Sequence, residues 1–341
     1  MKKIVIHKAG SFDQLKIEEH PNLMPANNEI KVAIHAIGIN YADVIIRWGL
    51  YDSARKFVGW PITPGFEFSG TVAALGKDAK GFEVGQKVFG LSLFNGYATE
   101  ICVKADMLYP LPKNMTLEQA AGFPAVYMTA YHALLQLVIV RPTDKAIVHS
   151  AAGGVGSALL QLCHIKGIET VGVVGSSHKV QRAIELGATH VIDKSTQDLW
   201  PAIQKLYPTG PDVIFDANGG ESLQKGWDAL ARGGKMISYG THTILPKESG
   251  HINYLKLALG WLRAPRFNSL NMNQRSIITF NLSFMFDKKD LLNEAMTDLI
   301  AWLEAGKIEP IAITTYAFND VAQAHKDLQS GNTMGKLVLV V

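Results

Sequence analysis

The segment HSAAGGVGSALLQL, residues 149–162, has the residue types and spacing of a dinucleotide-binding loop. It places Ala-x-Gly-x-x-Gly between a buried-strand pattern and an amphipathic-helix pattern. Gly153 lets the backbone approach a diphosphate, and Gly156 permits close packing of the helix on the strand. The N–H groups of Gly154 and Val155 lie at the start of the helix, where the helix dipole is positive. They therefore provide a binding site for the diphosphate.

The loop departs from the usual fingerprint in one position, because Ala151 stands where the first glycine is expected. Taken alone, Gly-x-x-Gly also fits a glycine-rich turn with only a packing role. A strand pattern before the loop, a helix pattern after it and further strand–helix units along the chain favour a nucleotide site.

The end of the next strand distinguishes NADPH from NADH. A site that prefers NADH places a carboxylate there to bind the ribose hydroxyls. Here the segment 174–179 reads Val-Gly-Ser-Ser-His-Lys, without a carboxylate. The hydroxyls of Ser176 and Ser177 and the ammonium of Lys179 can bind a 2′-phosphate, and Lys194 after the third strand can reach it. The alternative is that both lysines are solvated surface residues. We expect NADPH.

Strands and helices alternate around this loop, which predicts an α/β fold with a parallel sheet covered on both faces. The predicted strands are 145–150, 170–174, 190–192, 212–216, 235–240 and 276–282, and the predicted helices are 155–167, 178–187 and 221–232.

The rest of the chain has a different pattern. Residues 1–123 contain short strand patterns such as 29–39 and 66–75, punctuated by Gly and Pro, which is typical of a barrel or sandwich. Thr116 with Gln119 is a capping-box signature that precedes a predicted helix at 124–137. The tail predicts helices at 290–306 and 319–331 and strands at 311–318 and 336–341.

No flexible linker separates the two patterns, which predicts that one domain is nested in the other. The predicted limits are residues 1–123 for the first part of a catalytic domain, 124–283 for a Rossmann NADP-binding domain and 284–341 for the closing part of the catalytic domain.

Composition excludes several classes of function. The 341 residues are 48% hydrophobic and 18% charged, with a net charge of +3 and no basic stripe, which argues against nucleic-acid binding. Two cysteines, Cys102 and Cys163, do not make a disulfide framework. There is no signal-peptide core and no apolar run of the ~20 residues that cross a bilayer. We expect a soluble, cytoplasmic protein.

The stretch HINYLKLALGWLRAPRF, residues 251–267, is both apolar and basic. It fits a lid over a substrate cleft, a dimer surface or a peripheral membrane contact. Gly260 and Pro265 argue against one long helix there.

Four motifs resemble those of the medium-chain dehydrogenase/reductase superfamily. They are GINYADVIIRWGLY (38–51), PGFEFSGTV (64–72), AAGGVG (151–156) and GKLVLV (335–340). The alanine-first loop is similar to the quinone-oxidoreductase branch. ADVIIRWGLYD, ITPGFEFSG, YMTAYHALL and FDANGG are similar to the vesicle amine transport protein family within it. The resemblance implies a GroES-like β-barrel catalytic domain with an inserted Rossmann domain, an active site in the cleft and a homodimer.

The resemblance also implies that no metal is bound. Zinc-dependent members bind a catalytic zinc through a cysteine and a histidine, and the matching positions here hold Asn40 and Phe66, with only Glu67 kept. Neither side chain supplies a thiolate or an imidazole. Without a Lewis acid, the oxidation of plain alcohols lacks the metal that would polarise the oxygen. Quinones and α,β-unsaturated carbonyls need less help to accept a hydride.

Two residues are candidates for the chemistry. The resemblance places Asn40 and Tyr51 near the nicotinamide, where Asn40 can donate to a substrate oxygen and Tyr51 can donate a hydrogen bond or proton to a developing enolate. The alternatives are turn chemistry for Asn40 and core packing for Tyr51.

A further set of residues matches family positions around the cofactor, and packing alone is the alternative for each. These are Thr129 in the helix beside the nicotinamide ring, Asn218 and Tyr239 after two strands of the sheet, Phe280 and Leu282 by the carboxamide, and Lys336, which covers the cofactor from the tail.

Two functions compete. The first is an NADPH-dependent quinone or enone reductase, and the second is a cofactor-bound, membrane-associated or lipid-handling protein with little turnover.

Overall fold

The chain forms two compact units. The computed structural model describes residues 1–242, 272 and 274–341. One unit comprises residues 1–126 and 283–341, and the other comprises residues 127–282. The domain limits given by the sequence patterns stay a prediction. The stretch 251–267 lies outside the described residues.

Strands dominate the first unit. They are β1 (Lys2–Val5), β2 (Lys16–Glu19), β3 (Glu29–Ile39), β4 (Glu67–Leu75), β5 (Lys87–Leu91), β6 (Glu100–Lys104), β7 (Leu108–Pro110), β14 (Ile313–Ala317) and β15 (Lys336–Val340). β1 and β2 form an antiparallel pair, and the larger sheet has the order β14-β15-β3-β4-β5-β7, with β6 also paired to β3.

β3 organises this sheet, because β4, β6 and β15 all pair with it. Its first half alternates as a half-buried strand should, with Ile30, Val32 and Ile34 buried. Its second half, 36–39, is buried throughout. The residue after β3 is Asn40, so this buried strand fixes the position of a candidate site residue.

Helices of the first unit lie between and after these strands. They are α1 (Tyr41–Arg47), α2 (Asp52–Phe57), α3 (Leu117–Ala121), α9 (Lys289–Glu304) and α10 (Val321–Ser330). Thr116 accepts from the Gln119 N–H and makes the predicted capping box of α3. α1 and α2 were not predicted. Asn40 and Asp43 form a capping box at α1, so the Asn-x-x-Asp spacing carried the signal.

The described part of the second unit contains one parallel sheet, as predicted. Its strands are β8 (Lys145–His149), β9 (Glu169–Val174), β10 (His190–Asp193), β11 (Val213–Asp216), β12 (Lys235–Ser238) and β13 (Ser276–Thr279). Their order is β10-β9-β8-β11-β12-β13. The order reverses beside β8, and ligands of doubly wound sheets bind outside the carboxyl ends of the strands at that point.

Among the described residues, the helices of the second unit are α5 (Gly154–Ile165), α6 (Val180–Glu185), α7 (Leu199–Leu206) and α8 (Glu221–Ala229). α4 (Pro124–Tyr131) continues into a π-helical turn, His132–Gln136, within the predicted helix 124–137. The predicted helix 178–187 is shorter, because a 3-10 turn occupies Ser177–Lys179. α7 was not predicted.

Candidate functional site

The turn between β8 and α5 lies at the carboxyl edge of the second sheet. Ser150 takes a left-handed φ of 52°, and Gly153 precedes the helix in extended backbone. The Gly153 N–H donates to the Ser150 carbonyl at 2.8 Å and closes the turn. The first N–H groups of a helix have no partner within it, so those of Gly154 and Val155 are available to an anion at its start.

Close packing explains which positions in this turn must be glycine. A Cβ on Gly156 would lie 2.2 Å from the Ser150 carbonyl oxygen and 2.8 Å from Ala151 Cα. A Cβ on Gly153 would meet only that carbonyl oxygen, at 3.2 Å. Ala151 is tolerated in place of the first glycine because its methyl faces Gly172 of β9, which has no side chain.

The region predicted to bind a 2′-phosphate contains a carboxylate that the sequence analysis did not single out. Asp193, at the end of β10, accepts hydrogen bonds from the Ser177 hydroxyl at 2.5 Å and from the Ser195 hydroxyl at 2.7 Å. These bonds lower the pKa of Asp193. The Ser177 proton is therefore directed to Asp193. Lys179 is mostly buried, with its pKa lowered by burial, and Lys194 is exposed.

Asn218 lies where the sequence placed it, just after β11. The Asp216 carboxylate accepts from the N–H groups of Asn218 and Gly219, at 3.1 and 2.9 Å. The hydroxyl of Ser150 donates to Asn218 Oδ1 at 3.4 Å. The turns that follow β8 and β11 are thus tied together at the edge of the sheet.

Aromatic rings continue this edge of the second unit. The Phe280 ring packs edge-on against His132, with centroids 4.9 Å apart, and lies 6.2 Å from the Tyr239 ring. Burial raises the pKa of Tyr239, and its hydroxyl has no hydrogen-bond partner among the described residues. An unpartnered buried hydroxyl is costly, so this position suits a polar ligand group. Thr129 lies in α4, and Leu282 begins a 3-10 turn.

His149 is a buried group that the sequence analysis did not identify as functional. Its ring is 1% exposed, neither nitrogen has a hydrogen-bond partner among the described residues, and burial lowers its pKa to about 4. The ordinary pKa of histidine is about 6.5. Its neutral form therefore contributes stability that is complete above pH 6.5 and is lost as the pH falls towards 4.

We expect His149→Phe to reduce this acid sensitivity. When the pH falls from 6.5 to 4, the unfolding free energy of the variant should drop by about 3 kcal/mol less than that of the native protein. Thermal unfolding at pH 7 and pH 4.5 measures the difference. His164→Phe, at an exposed position of the same unit, is the control and should follow the native protein. Equal pH dependence of His149→Phe and the native protein would contradict the expectation.

Asn40 lies in the first unit, between β3 and α1. Its Nδ2 donates to Glu67 Oε1 at 2.9 Å, and its Oδ1 accepts from Lys336 Nζ at 2.5 Å. Lys336 and Glu67 form an ion pair of 2.6 Å, with both residues buried. The structure therefore brings together two predicted residues, Asn40 and Lys336, around a carboxylate whose role was not predicted.

A second buried network lies next to this pair. The Asp43 carboxylate accepts from the N–H groups of Asn40 and Gly65, at 2.8 and 3.0 Å. Tyr97 Oη lies 3.2 Å from Asp43 Oδ2 and 3.0 Å from His325 Nε2. Burial raises the pKa of Asp43 to about 7 and lowers that of His325 to about 3. Through Tyr97 the network connects Asp43 of α1 with His325 of α10, and the His325 ring is neutral.

Tyr51, the other predicted catalytic residue, precedes α2. Its ring packs edge-on against Phe66, with centroids 5.8 Å apart. It also lines a small, mainly apolar pocket with Trp60 and Ile62. The contact with Phe66 supports a packing role for Tyr51. Its catalytic role stays a prediction.

Comparison with known proteins agrees with this architecture. Residues 26–113 match the alcohol dehydrogenase GroES-like domain, and residues 186–339 match the zinc-binding dehydrogenase model. The chain is 33% identical over 347 residues to the mouse synaptic vesicle membrane protein VAT-1 homolog, covering 99% of this chain and 83% of the mouse protein. The chain belongs to the family of VAT-1 homologues, in the medium-chain dehydrogenase/reductase superfamily.

Solved structures of similar proteins match this chain over its full length. Escherichia coli quinone oxidoreductase complexed with NADPH matches with a TM-score of 0.87 and 28% identity, covering 100% of both chains. The human VAT-1 homolog-like protein matches with a TM-score of 0.82 and 27% identity, covering 100% of this chain and 98% of that one. The predicted GroES-like domain and Rossmann sheet are confirmed.

The name of the second matching family raises the question of zinc. In this VAT-1 homologue the candidate metal positions hold the Asn40 amide and the Phe66 ring, neither of which is a usual zinc ligand in proteins. The remaining carboxylate, Glu67, is paired with the Lys336 ammonium. In the described part of the chain no three His, Cys, Asp or Glu side chains are grouped to hold a metal. The residues at these candidate positions do not fit zinc.

The described residues also contain no helix that is long and apolar enough to cross a membrane.

Proposed function

We propose that this protein is an NADPH-dependent, zinc-independent reductase that transfers hydride to a quinone or an α,β-unsaturated carbonyl. The observation that supports it most directly is the turn at residues 150–156. There Gly156 brings β8 against the start of α5, and the first N–H groups of the helix are available to a diphosphate. The NADPH complex of the similar Escherichia coli quinone oxidoreductase supports the choice of cofactor.

We propose that residues of the second unit hold the cofactor. We assign the diphosphate to Gly153, Gly154, Val155 and Gly156. We assign the 2′-phosphate to Ser176, Lys179 and Lys194, with Ser177 held by Asp193. The remaining contacts proposed for the nicotinamide half are Thr129, Asn218, Tyr239, Phe280 and Leu282.

We expect Lys179→Met to reduce the preference for NADPH. A charge-assisted hydrogen bond to phosphate contributes about 1.5–3 kcal/mol, so the dissociation constant of NADPH should rise at least about tenfold. That of NADH, which lacks the phosphate, should change less than about twofold. Quenching of tryptophan fluorescence measures both, and Lys205→Met, at an exposed position of α7, is the control. Tighter binding of NADH than NADPH by the native protein would contradict the assignment.

Asn40 and Phe66 do not supply metal ligands, so the proposed reaction is one that needs no Lewis acid. Bound NADPH supplies the hydride. In conjugate addition the negative charge spreads onto the substrate oxygen, where a hydrogen-bond donor stabilises it. Asn40 Nδ2 is the proposed donor, and Tyr51 is the proposed source of a hydrogen bond or proton to the enolate.

Three further assignments extend the proposal. We propose a cytoplasmic homodimer, by analogy with the family. We keep a peripheral membrane contact through residues 251–267 as a prediction.

A second function is favoured by one observation. The relatives that match over nearly the whole chain carry the name of a synaptic vesicle membrane protein. This supports a cofactor-bound, membrane-associated or lipid-handling protein with little turnover.

NADPH oxidation by the purified protein separates the two functions. The assay uses a panel of quinones and enones, with NADH as the control cofactor. We expect turnover of at least one class, with NADPH preferred. NADPH binding without turnover of any substrate would overturn the reductase proposal in favour of the second function.

A further inference from the structure

A closed ring of hydrogen bonds holds the side-chain amide of Asn40. Lys336 Nζ lies 2.6 Å from Glu67 Oε1 and 2.5 Å from Asn40 Oδ1. Asn40 Nδ2 lies 2.9 Å from the same oxygen of Glu67. Glu67 is 0% exposed and Lys336 is 3% exposed, so water does not compete strongly for these bonds.

The ring admits only one orientation of the amide. An ammonium can only donate hydrogen bonds, and an ionised carboxylate can only accept them. Asn40 must therefore accept from Lys336 on Oδ1 and donate to Glu67 from Nδ2. The reverse orientation would place Nδ2 against the ammonium and Oδ1 against the carboxylate. Side-chain amides are commonly ambiguous in this respect, and here the two charges decide it.

Both oxygens of the carboxylate are occupied. Glu67 Oε2 accepts from the Ala125 N–H at 2.7 Å, while Oε1 accepts from Asn40 and Lys336. A neutral amide at position 67 cannot reproduce this arrangement, because one of its two ends donates. Both oxygens of residue 67 must accept hydrogen bonds, and only a carboxylate can do this.

The backbone around the ion pair leaves space for it. A Cβ on Gly38 would lie 2.5 Å from Glu67 Oε1. A Cβ on Gly122 would lie 2.7 Å from Lys336 Cγ. Glycine at these two positions allows β3 and the end of α3 to approach the two charged side chains closely.

One N–H of Asn40 has no role in the ring. Of the described residues, only Glu67 accepts from Asn40 Nδ2, and the residue is half-buried. An amide nitrogen carries two hydrogens, so the second is available to a ligand in a fixed direction. The backbone N–H of Asn40 donates to Asp43 Oδ2 at 2.8 Å, and this bond fixes the backbone at Asn40.

We propose that Glu67 and Lys336 are positioning residues that lock the Asn40 amide with its second N–H directed at the oxygen of the substrate. This inference rests on the proposed function, in which Asn40 donates to that oxygen. Positioning matters because a donor must already point at the charge that develops in the transition state. In this interpretation Lys336 acts through Asn40 and does not contact the cofactor.

A double variant tests the lock. Glu67→Gln combined with Lys336→Met removes both charges together, so that neither is left buried and unpaired. It is made in the native background and in the Asn40→Ala background. In the native background we expect kcat to fall at least about tenfold, with the dissociation constant of NADPH changed less than about twofold. In the Asn40→Ala background the same pair should change kcat less than about twofold.

Other kinetic outcomes overturn the inference. An equal loss of kcat in both backgrounds would show that the ion pair does not act through Asn40. A loss confined to NADPH binding would return Lys336 to the role of a cofactor contact. Full turnover by Asn40→Ala would remove the donor that the ion pair is proposed to orient.

A second measurement does not depend on turnover. Hydrogen exchange of the Asn40 side-chain N–H that is bonded to Glu67, followed by NMR, should be at least about tenfold slower in the native protein than in the double variant. If the native protein reduces no quinone or enone, the proposed function fails, and this comparison alone decides whether the amide is locked. Equal exchange in the two proteins would overturn the lock even if turnover is found.

Discussion

Replacing Lys336 by methionine will lower the free energy of unfolding by about 3–5 kcal/mol, because it leaves the Glu67 carboxylate buried and unpaired. Glu67 is fully buried, and its Oε1 would keep only the hydrogen bond from Asn40. The stem of methionine fills most of the volume of lysine, so the loss comes mainly from charge. Unfolding in urea, followed by tryptophan fluorescence, measures the change.

The control for Lys336→Met is the same substitution combined with Glu67→Gln. Because the second change removes the unpaired charge, the double variant should regain more than half of the lost stability. A double variant as unstable as Lys336→Met would indicate that lysine contributes through packing and not through its pairing with Glu67.

Replacing Gly156 by valine will abolish measurable NADPH binding, with a loss of affinity of at least about 100-fold. The new Cβ would lie 2.2 Å from the Ser150 carbonyl oxygen, so β8 and α5 must move apart. Overpacking of this kind also costs about 1–3 kcal/mol of stability. Isothermal titration with NADPH and thermal unfolding measure the two effects.

Gly153→Ala separates packing from ligand contact in the same turn. The Cβ at position 153 would meet only the Ser150 carbonyl oxygen, at 3.2 Å, so stability should change by less than about 1 kcal/mol. Affinity for NADPH should still fall about tenfold, since the methyl group stands where the diphosphate approaches. Unchanged affinity in both glycine variants would remove the diphosphate from this turn.

The parallel sheet was predictable because its signals are local. Each strand of the second unit is a short apolar run next to a helical pattern, and the Gly-x-x-Gly turn marks the first crossover. α1 and α2 were missed because both are short and lie among strand patterns. Asn40 and Asp43 cap α1, but an Asn-x-x-Asp spacing is common enough in turns to carry little weight alone.

The candidate site was only partly predictable. Asn40 and Lys336 were both singled out, but their contact joins residues from opposite ends of the sequence. Periodicity and spacing describe neighbours along the chain and give no information on such pairs. Asp193 shows the same limit, because its contact with Ser177 depends on the register of β9 against β10. The sequence contains Asp193, but it does not show that this carboxylate lies next to Ser177.

The pairing of β15 with β3 has a consequence for the order of folding. Leu337 lies opposite Ile39, so the first sheet joins residues that are separated by the whole of the second unit. Contacts between distant residues form slowly, because closing a long loop costs entropy before the contacts stabilise it. The second unit is one continuous segment, residues 127–282. If this segment compacts before β15 pairs with β3, less flexible chain separates Ile39 from Leu337, and the entropy cost of closing the first sheet is smaller.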